Sequence, residues 1–169
     1  ETAIRAFSMV YNKHPDATLT IAGSGPQAQS LLELSKSLGF SGAVVFAGRL
    51  DRDAMTQAYR KADIALNPSL VDNMPNSVLE AMASGLPVVS TNVGGVRFIV
   101  KNEQTALLVP PKSPEEMAKA ILRLMEDSAL STKLIDNGLA EVQKYTWQQV
   151  WPVLADVYGK ALNNVSLTA

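Results

Sequence analysis

A Rossmann-like α/β fold, with a doubly wound parallel sheet and extra helices at its C-terminal end, is what this sequence predicts. Three observations predict it. Segments with strand character and segments with helix character alternate five times along the chain. The strands are short and uniformly apolar, the mark of a parallel sheet covered on both faces. Glycine-rich or polar loops follow those strands, and ligands bind such sheets at the carboxyl ends of the strands, near the point where strand order reverses.

The composition sets bounds on function. The chain has 169 residues, the length of a single domain; 47% are apolar, enough for a core, and 18% are charged. A net charge of −1 gives no electrostatic footprint for nucleic acid. The absence of cysteine excludes disulfides, thiolate zinc sites and cysteine nucleophiles, and a single histidine, His14, cannot build a histidine metal cluster. No apolar run is long enough to cross a bilayer and no secretory signal pattern is present, which fits a cytoplasmic protein. The periodic pattern starts at once with a helix that no strand precedes, so the chain is expected to be cut from something longer.

In order, residues 2–13 read as an amphipathic helix with Ile4, Phe7 and either Ala3 or Val10 on one face. Pro15 ends it and leaves His14 in a loop. Residues 18–22 are a strand. Gly23-Ser24-Gly25-Pro26-Gln27-Ala28 then leads into a helix reaching about Leu38, in the position of a G-x-G-x-x-A dinucleotide turn. The acid expected after the next strand for a nicotinamide ribose is missing, because residues 43–47 run into Gly48-Arg49. A nicotinamide dehydrogenase is therefore disfavoured. Asp51-Arg52-Asp53 matches a D-x-D metal pattern, but it immediately precedes the helix at 54–61 and reads better as an acidic helix start. Residues 64–67 form the next strand.

The central stretch runs from Asp72 to Gly95: a polar loop, a short helix between Pro75 and Gly85, the strand Pro87-Val88-Val89-Ser90-Thr91, and a glycine pair, Gly94-Gly95. Such a pair lets the backbone turn or lets a ligand come close. Asp72 and Glu80 place two carboxylates eight residues apart, one in the loop and one on the helix. The helix N-terminus, with Asn76 and Ser77, offers unpaired N–H groups suited to a phosphate. A plainer reading of Glu80 stands beside this one: Ser77-Val78-Leu79-Glu80 fits the capping box S-x-x-E. Asp72 could likewise be a loop-turn residue.

The remainder reads as one helical turn near 97–100, a strand at 106–109, a helix at 114–126 opened by a second capping-box pattern (Ser113 to Glu116), and a helix at 131–143. A last helix at 147–162 follows, distorted by Pro152. Its residues Trp147, Val150, Trp151, Leu154, Val157 and Tyr158 are expected to be core, and the tail after Asn163 to fray.

The ordered blocks Leu19-Thr20-Ile21-Ala22-Gly23-Ser24-Gly25-Pro26, Val45-Phe46-Ala47-Gly48, Ala62-Asp63-Ile64, Pro68-Ser69, residues 80–89 (Glu80-Ala81-Met82-Ala83-Ser84-Gly85-Leu86-Pro87-Val88-Val89) and Val93-Gly94-Gly95 resemble the C-terminal domain of GT-B-type retaining glycosyltransferases of the glycosyl-transferase group 1 family. Leu107-Leu108-Val109-Pro110-Pro111 and Tyr145-Thr146-Trp147 continue the likeness, which covers roughly residues 2–160. The resemblance implies a domain that binds a nucleotide-sugar donor (UDP-, GDP- or ADP-linked) and transfers the sugar with retention and without a metal. The acceptor, a glycan, lipid or small molecule, would sit in an N-terminal domain of the same protein. It implies that Glu80 takes the ribose hydroxyls and that Asp72 lies near the transferred sugar. Asn76 and Ser77 would meet the sugar or diphosphate, Gly48, Arg49 and Leu50 would hold the base through backbone groups, and Gly23 and Gly25 would belong to the donor cleft. Any membrane association would be peripheral and would come from the N-terminal half.

Three positions depart from the family pattern: Asp72 where a glutamate is usual, Phe98 where a glutamate follows the glycine pair, and Ala106 where a glycine is common. The family's diphosphate-binding arginine and lysine would lie upstream of Glu1. Residues 1–169 are thus expected to be one Rossmann-like nucleotide-sugar-binding domain, inactive in transfer on its own. A non-catalytic nucleotide-sugar-binding module and a nucleotide-sugar epimerase on the same fold are the alternatives.

Overall fold

A computed structural model describes the backbone of residues 1–165 and the side chains of residues 1–162. The first helix, α1 (Thr2–Lys13), buries Ile4, Ala6, Phe7 and Val10. Their spacing puts them on one side of the helix, so a single face supplies two cores. Ile4 and Phe7 pack with Leu19, Phe40 and Val44, with the Phe7 and Phe40 rings edge to face at 5.6 Å. Ala6 and Val10 join a second core with Val89, Leu107 and Met117.

β1 (Leu19–Ala22) and β2 (Val44–Gly48) run parallel with Leu19 opposite Val44, joined by α2 (Ala28–Ser37) and a 3-10 turn at Ser41–Ala43. α3 (Arg52–Lys61) leads on to β3 (Ala65–Asn67), α4 (Asn76–Ala83), β4 (Val88–Thr91), α5 (Val96–Ile99) and β5 (Leu107–Val109). These three strands are also parallel, with Leu66 opposite Val89 and Val89 opposite Leu107. β4 is buried along its whole length, as its β-branched composition requires of a central strand with both faces covered.

The α/β class and the parallel strands are as expected. Their bonding is less continuous than a single sheet, because the strands pair as β1-β2 and as β3-β4-β5. Side chains rather than a ladder join the two groups: Leu66 of β3 and Ala17 pack against both the core around Val10 and Met117 and the core around Leu19 and Phe40.

α6 (Pro114–Glu126) carries Pro114 in its first turn, as expected, but the Ser113–Glu116 capping box does not form. The Ser113 hydroxyl donates to the Pro111 carbonyl, and Glu116 pairs with Lys119. α7 (Ser128–Val142) starts earlier than expected because the Asp127 side chain accepts from the Leu130 N–H and caps it. After a 3-10 turn at Gln143–Tyr145, α8 (Trp147–Val165) runs unbroken through Pro152 and past the expected end at 162. The rest of the expected frayed tail, residues 166–169, lies outside the described residues.

One expectation about α8 is overturned. Trp147 is 63% exposed, Tyr158 63%, Val157 57% and Trp151 51%, and Leu154 is exposed too. The helical period of these apolar residues is real, but among the described residues of that face only Val150 is as much as half-buried. Among the described residues no helix is long and apolar enough to cross a membrane.

Candidate functional site

The loops at the carboxyl ends of the strands, with the helix α4 that follows one of them, carry the donor-site residues expected from the sequence, and the structure divides them into two clusters. The first lies beyond β1 and β2. The Gly23 N–H donates to the Gly48 carbonyl at 2.6 Å, which ties the two glycine turns together. Gly23 and Gly48 both have a positive φ, 131° and 66°, which is open to glycine and strained for other residues. A methyl group added at Gly23, Gly25 or Gly48 would meet no atom within 4 Å. The space above these turns is open, as a ligand approaching the backbone requires. Arg49 is exposed and Leu50 half-buried beside them. The Asp51 carboxylate accepts from the Ala54 N–H at 2.8 Å and caps α3. Among the described residues, no group of three or more histidine, cysteine or acidic residues could hold a metal ion.

The second cluster lies beyond β3 and β4, on a fixed base. The Thr91 hydroxyl donates to the Ser69 carbonyl at 2.6 Å, the Ser69 hydroxyl to the Asn67 side-chain oxygen at 2.7 Å, and the Asn67 amide to the Ser90 hydroxyl at 3.2 Å. Asn67, Ser90 and Thr91 are buried, and among the described residues no buried side-chain polar atom lacks a partner. This network holds the start of the loop that carries Asp72. The glycine pair holds its middle. The Gly95 N–H donates to the Asp72 carbonyl at 2.8 Å, and a methyl on Gly94 or Gly95 would collide with the carbonyl oxygens of Asp72 and Asn73, respectively. The close approach that Gly94-Gly95 permits is therefore made by the chain's own loop. The half-buried Asp72 is placed by its backbone.

The loop ends at Pro75, which is buried and occupies the N-cap of α4. Ser77 is inside the helix, no side chain caps it, and the Ser77–Glu80 capping box is absent. The first amides of α4 have no intrahelical acceptor, as at any helix start, and Asn76 and Ser77 are exposed beside them. Glu80 is thus free of its local partner and turns to a distant one: the Tyr59 hydroxyl of α3 donates to Glu80 Oε2 at 3.1 Å and lies 3.4 Å from the Ser77 carbonyl. Burial, followed by the charge and hydrogen bond of Glu80, pushes the Tyr59 phenol up to about 12. It therefore stays a donor at neutral pH.

The sequence reading missed Tyr59 and the Asn67–Ser69–Ser90–Thr91 network. Tyr59 carries no local signal, because its partner is twenty-one residues away on another helix. The network could have been suspected from four polar residues at the ends of otherwise apolar strands. Phe98 is 77% exposed, its ring 5.4 Å from the Arg97 guanidinium carbon, and it makes no described contact with either carboxylate.

Comparison with known proteins places this geometry. The sequence profile of the family described as "Glycosyl transferases group 1" matches residues 1–140. An uncharacterised glycosyltransferase of Methanocaldococcus jannaschii is 34% identical over 163 residues, covering 96% of this chain and 42% of that protein. The structure of sucrose-phosphate synthase from Thermosynechococcus elongatus superposes with a TM-score of 0.84 at 28% identity, covering 96% of this chain and 43% of that one. HepE of Anabaena, solved in complex with UDP-glucose, shares the fold with a TM-score of 0.78 at 22% identity, over 92% of this chain and 44% of its own. The chain spans about two fifths of the length of the curated relatives it matches.

Proposed function

Because this chain belongs to the glycosyl transferases group 1 family, we propose that it is the donor-binding part of an enzyme that moves a sugar from a nucleotide-sugar to an acceptor, with retention and without a metal. The observation that carries this reading is the placement of Glu80. Its carboxylate is exposed, is not used in a capping box, and stands on the second turn of a helix whose N-terminus is open.

In this reading each group has a task that its chemistry suits. Glu80 accepts hydrogen bonds from the two ribose hydroxyls, since a carboxylate offers about four acceptor positions. The first amides of α4, at Asn76 and Ser77, face the sugar or the diphosphate. The open turns at Gly23, Gly25 and 48–50 admit the rest of the nucleotide, with the base against backbone groups of Gly48, Arg49 and Leu50. Asp72 lies at the transferred sugar, its charge kept although it is shorter than the family's glutamate. During transfer the bond from the anomeric carbon to the diphosphate breaks, a bond to the acceptor oxygen forms, and the acceptor hydroxyl gives its proton to the departing diphosphate. The departing diphosphate gathers negative charge, and the α4 N-terminus stabilises it without reorganising. That electrostatic role is the basis for proposing metal independence.

The acceptor is assigned to a further domain of the same protein, so the chain alone does not complete transfer. Its share of its relatives' length supports this assignment, as does the uncovered apolar face of α8. A cytoplasmic setting is proposed, with any contact to the inner face of a membrane made through the other domain.

Calorimetric titration with UDP, GDP and ADP, beside Glu80→Ala, tests the reading. One nucleotide is expected to bind, and the variant to weaken it more than about tenfold, since hydrogen bonds to a charged group contribute roughly 1.5–3 kcal/mol each. Binding that Glu80→Ala leaves unchanged would overturn the placement of the ribose.

A further inference from the structure

Glu80 is a long, exposed side chain, and such a side chain left alone samples many rotamers. A carboxylate that must take two hydroxyls at once binds them better if it is already oriented. The structure supplies an orienting group. Tyr59 packs its ring against the core formed by Val78, Met82, Val88 and their neighbours, so its hydroxyl is held in place from below. That hydroxyl has one proton and two acceptors in reach, Glu80 Oε2 at 3.1 Å and the Ser77 carbonyl at 3.4 Å. The nearer and charged acceptor takes the proton, because hydrogen bonds to ionised groups are the stronger. Among the described residues Tyr59 is the one side-chain partner of the Glu80 carboxylate.

We propose that Tyr59 is the positioning residue for Glu80: its phenol fixes Oε2 and so presets the carboxylate for a ribose diol. The proposal rests on the ribose role of Glu80 given above. Tyr59 belongs to α3, whose N-cap Asp51 directly follows the 48–50 turn assigned to the base, whereas Glu80 belongs to α4. The phenol therefore ties the element beyond β2 to the element beyond β3, and the two clusters of the site meet through it. Oε1 stays open, and Oε2 keeps a second acceptor position.

Tyr59→Phe removes the donor and keeps the ring, and circular dichroism checks that the variant folds. Two measurements follow. In the ligand-free chain, NMR scalar couplings report the Glu80 rotamers: one rotamer is expected in the wild type and averaged couplings in Tyr59→Phe. In calorimetry, UDP, GDP and ADP are each compared with their 2′,3′-dideoxy forms. The wild type is expected to prefer the ribose form of the nucleotide that binds, and Tyr59→Phe to lose roughly tenfold of that preference while binding the dideoxy form as before. A phenol that only packs α3 on α4 would shift both forms alike, and that result overturns the proposal, as does an unchanged Glu80 rotamer in Tyr59→Phe. If no nucleotide binds, or if Glu80→Ala has no effect, the ribose reading of the site fails. The couplings then decide by themselves whether Tyr59 orients Glu80.

Discussion

The glycines at the two halves of the sheet edge are there for opposite reasons. Gly94 and Gly95, beyond β4, are filled: the carbonyls of Asp72 and Asn73 occupy the places where their side chains would be. Gly23, Gly25 and Gly48, beyond β1 and β2, are empty above, with no atom within 4 Å of an added methyl. The first pair serves the fold, and through it the placement of Asp72. The second set leaves room for something the chain does not itself supply. A glycine in a loop is thus not one signal but two, told apart by what stands over it.

The comparison breaks most sharply at Gly95. In Gly95→Ala the new methyl meets a backbone carbonyl, which cannot swing away as a side chain can. The 72–73 loop must move and the Gly95–Asp72 hydrogen bond goes with it. A loss of about 3 kcal/mol is expected, at the upper end of ordinary overpacking, read as a lower midpoint in urea unfolding. Hydrogen exchange at the amides of residues 72–75 should quicken in parallel. A variant as stable as the wild type would mean that this loop is not held by the glycine pair.

The same contrast shows how much could be read before the structure was known. The parallel α/β class, the end of α4 near Gly85 and the importance of the 72–95 stretch were legible, because turn residues and β-branched runs act locally. What failed was the choice of partner for a polar side chain. Ser77 and Glu80 have the spacing of a capping box, yet Pro75 takes the N-cap and Tyr59 takes Glu80. Ser113 and Glu116 have the same spacing but go to near neighbours instead, the Pro111 carbonyl and Lys119. The apolar period of α8 was legible too, but period tells which residues share a face and not what covers it. Gly94-Gly95 was open between a turn and a ligand, and only the position of Asp72 and Asn73 closes that choice.

A smaller effect is expected below the same loop. Thr91 is fully buried, and its hydroxyl donates to the Ser69 carbonyl. Thr91→Val keeps the shape and leaves that carbonyl without its donor, a cost of about 1–3 kcal/mol. Chemical denaturation measures it. If the filled half of the edge is held as a unit, Thr91→Val and Gly95→Ala together should cost less than the sum of the two alone, since either one frees the loop.

The smallest effect on stability, and the most informative for function, belongs to the empty half. Gly25 has neither a positive φ nor a neighbour above it. Gly25→Ala should therefore change stability by no more than about 0.5 kcal/mol in either direction. The methyl does, however, project into the open space assigned to the donor. Nucleotide affinity should fall in this variant although unfolding barely moves, which is the reverse of what Thr91→Val should do. Unchanged affinity in Gly25→Ala would place the nucleotide away from this turn and confine the donor site to the loop and helix that carry Asp72 and Glu80.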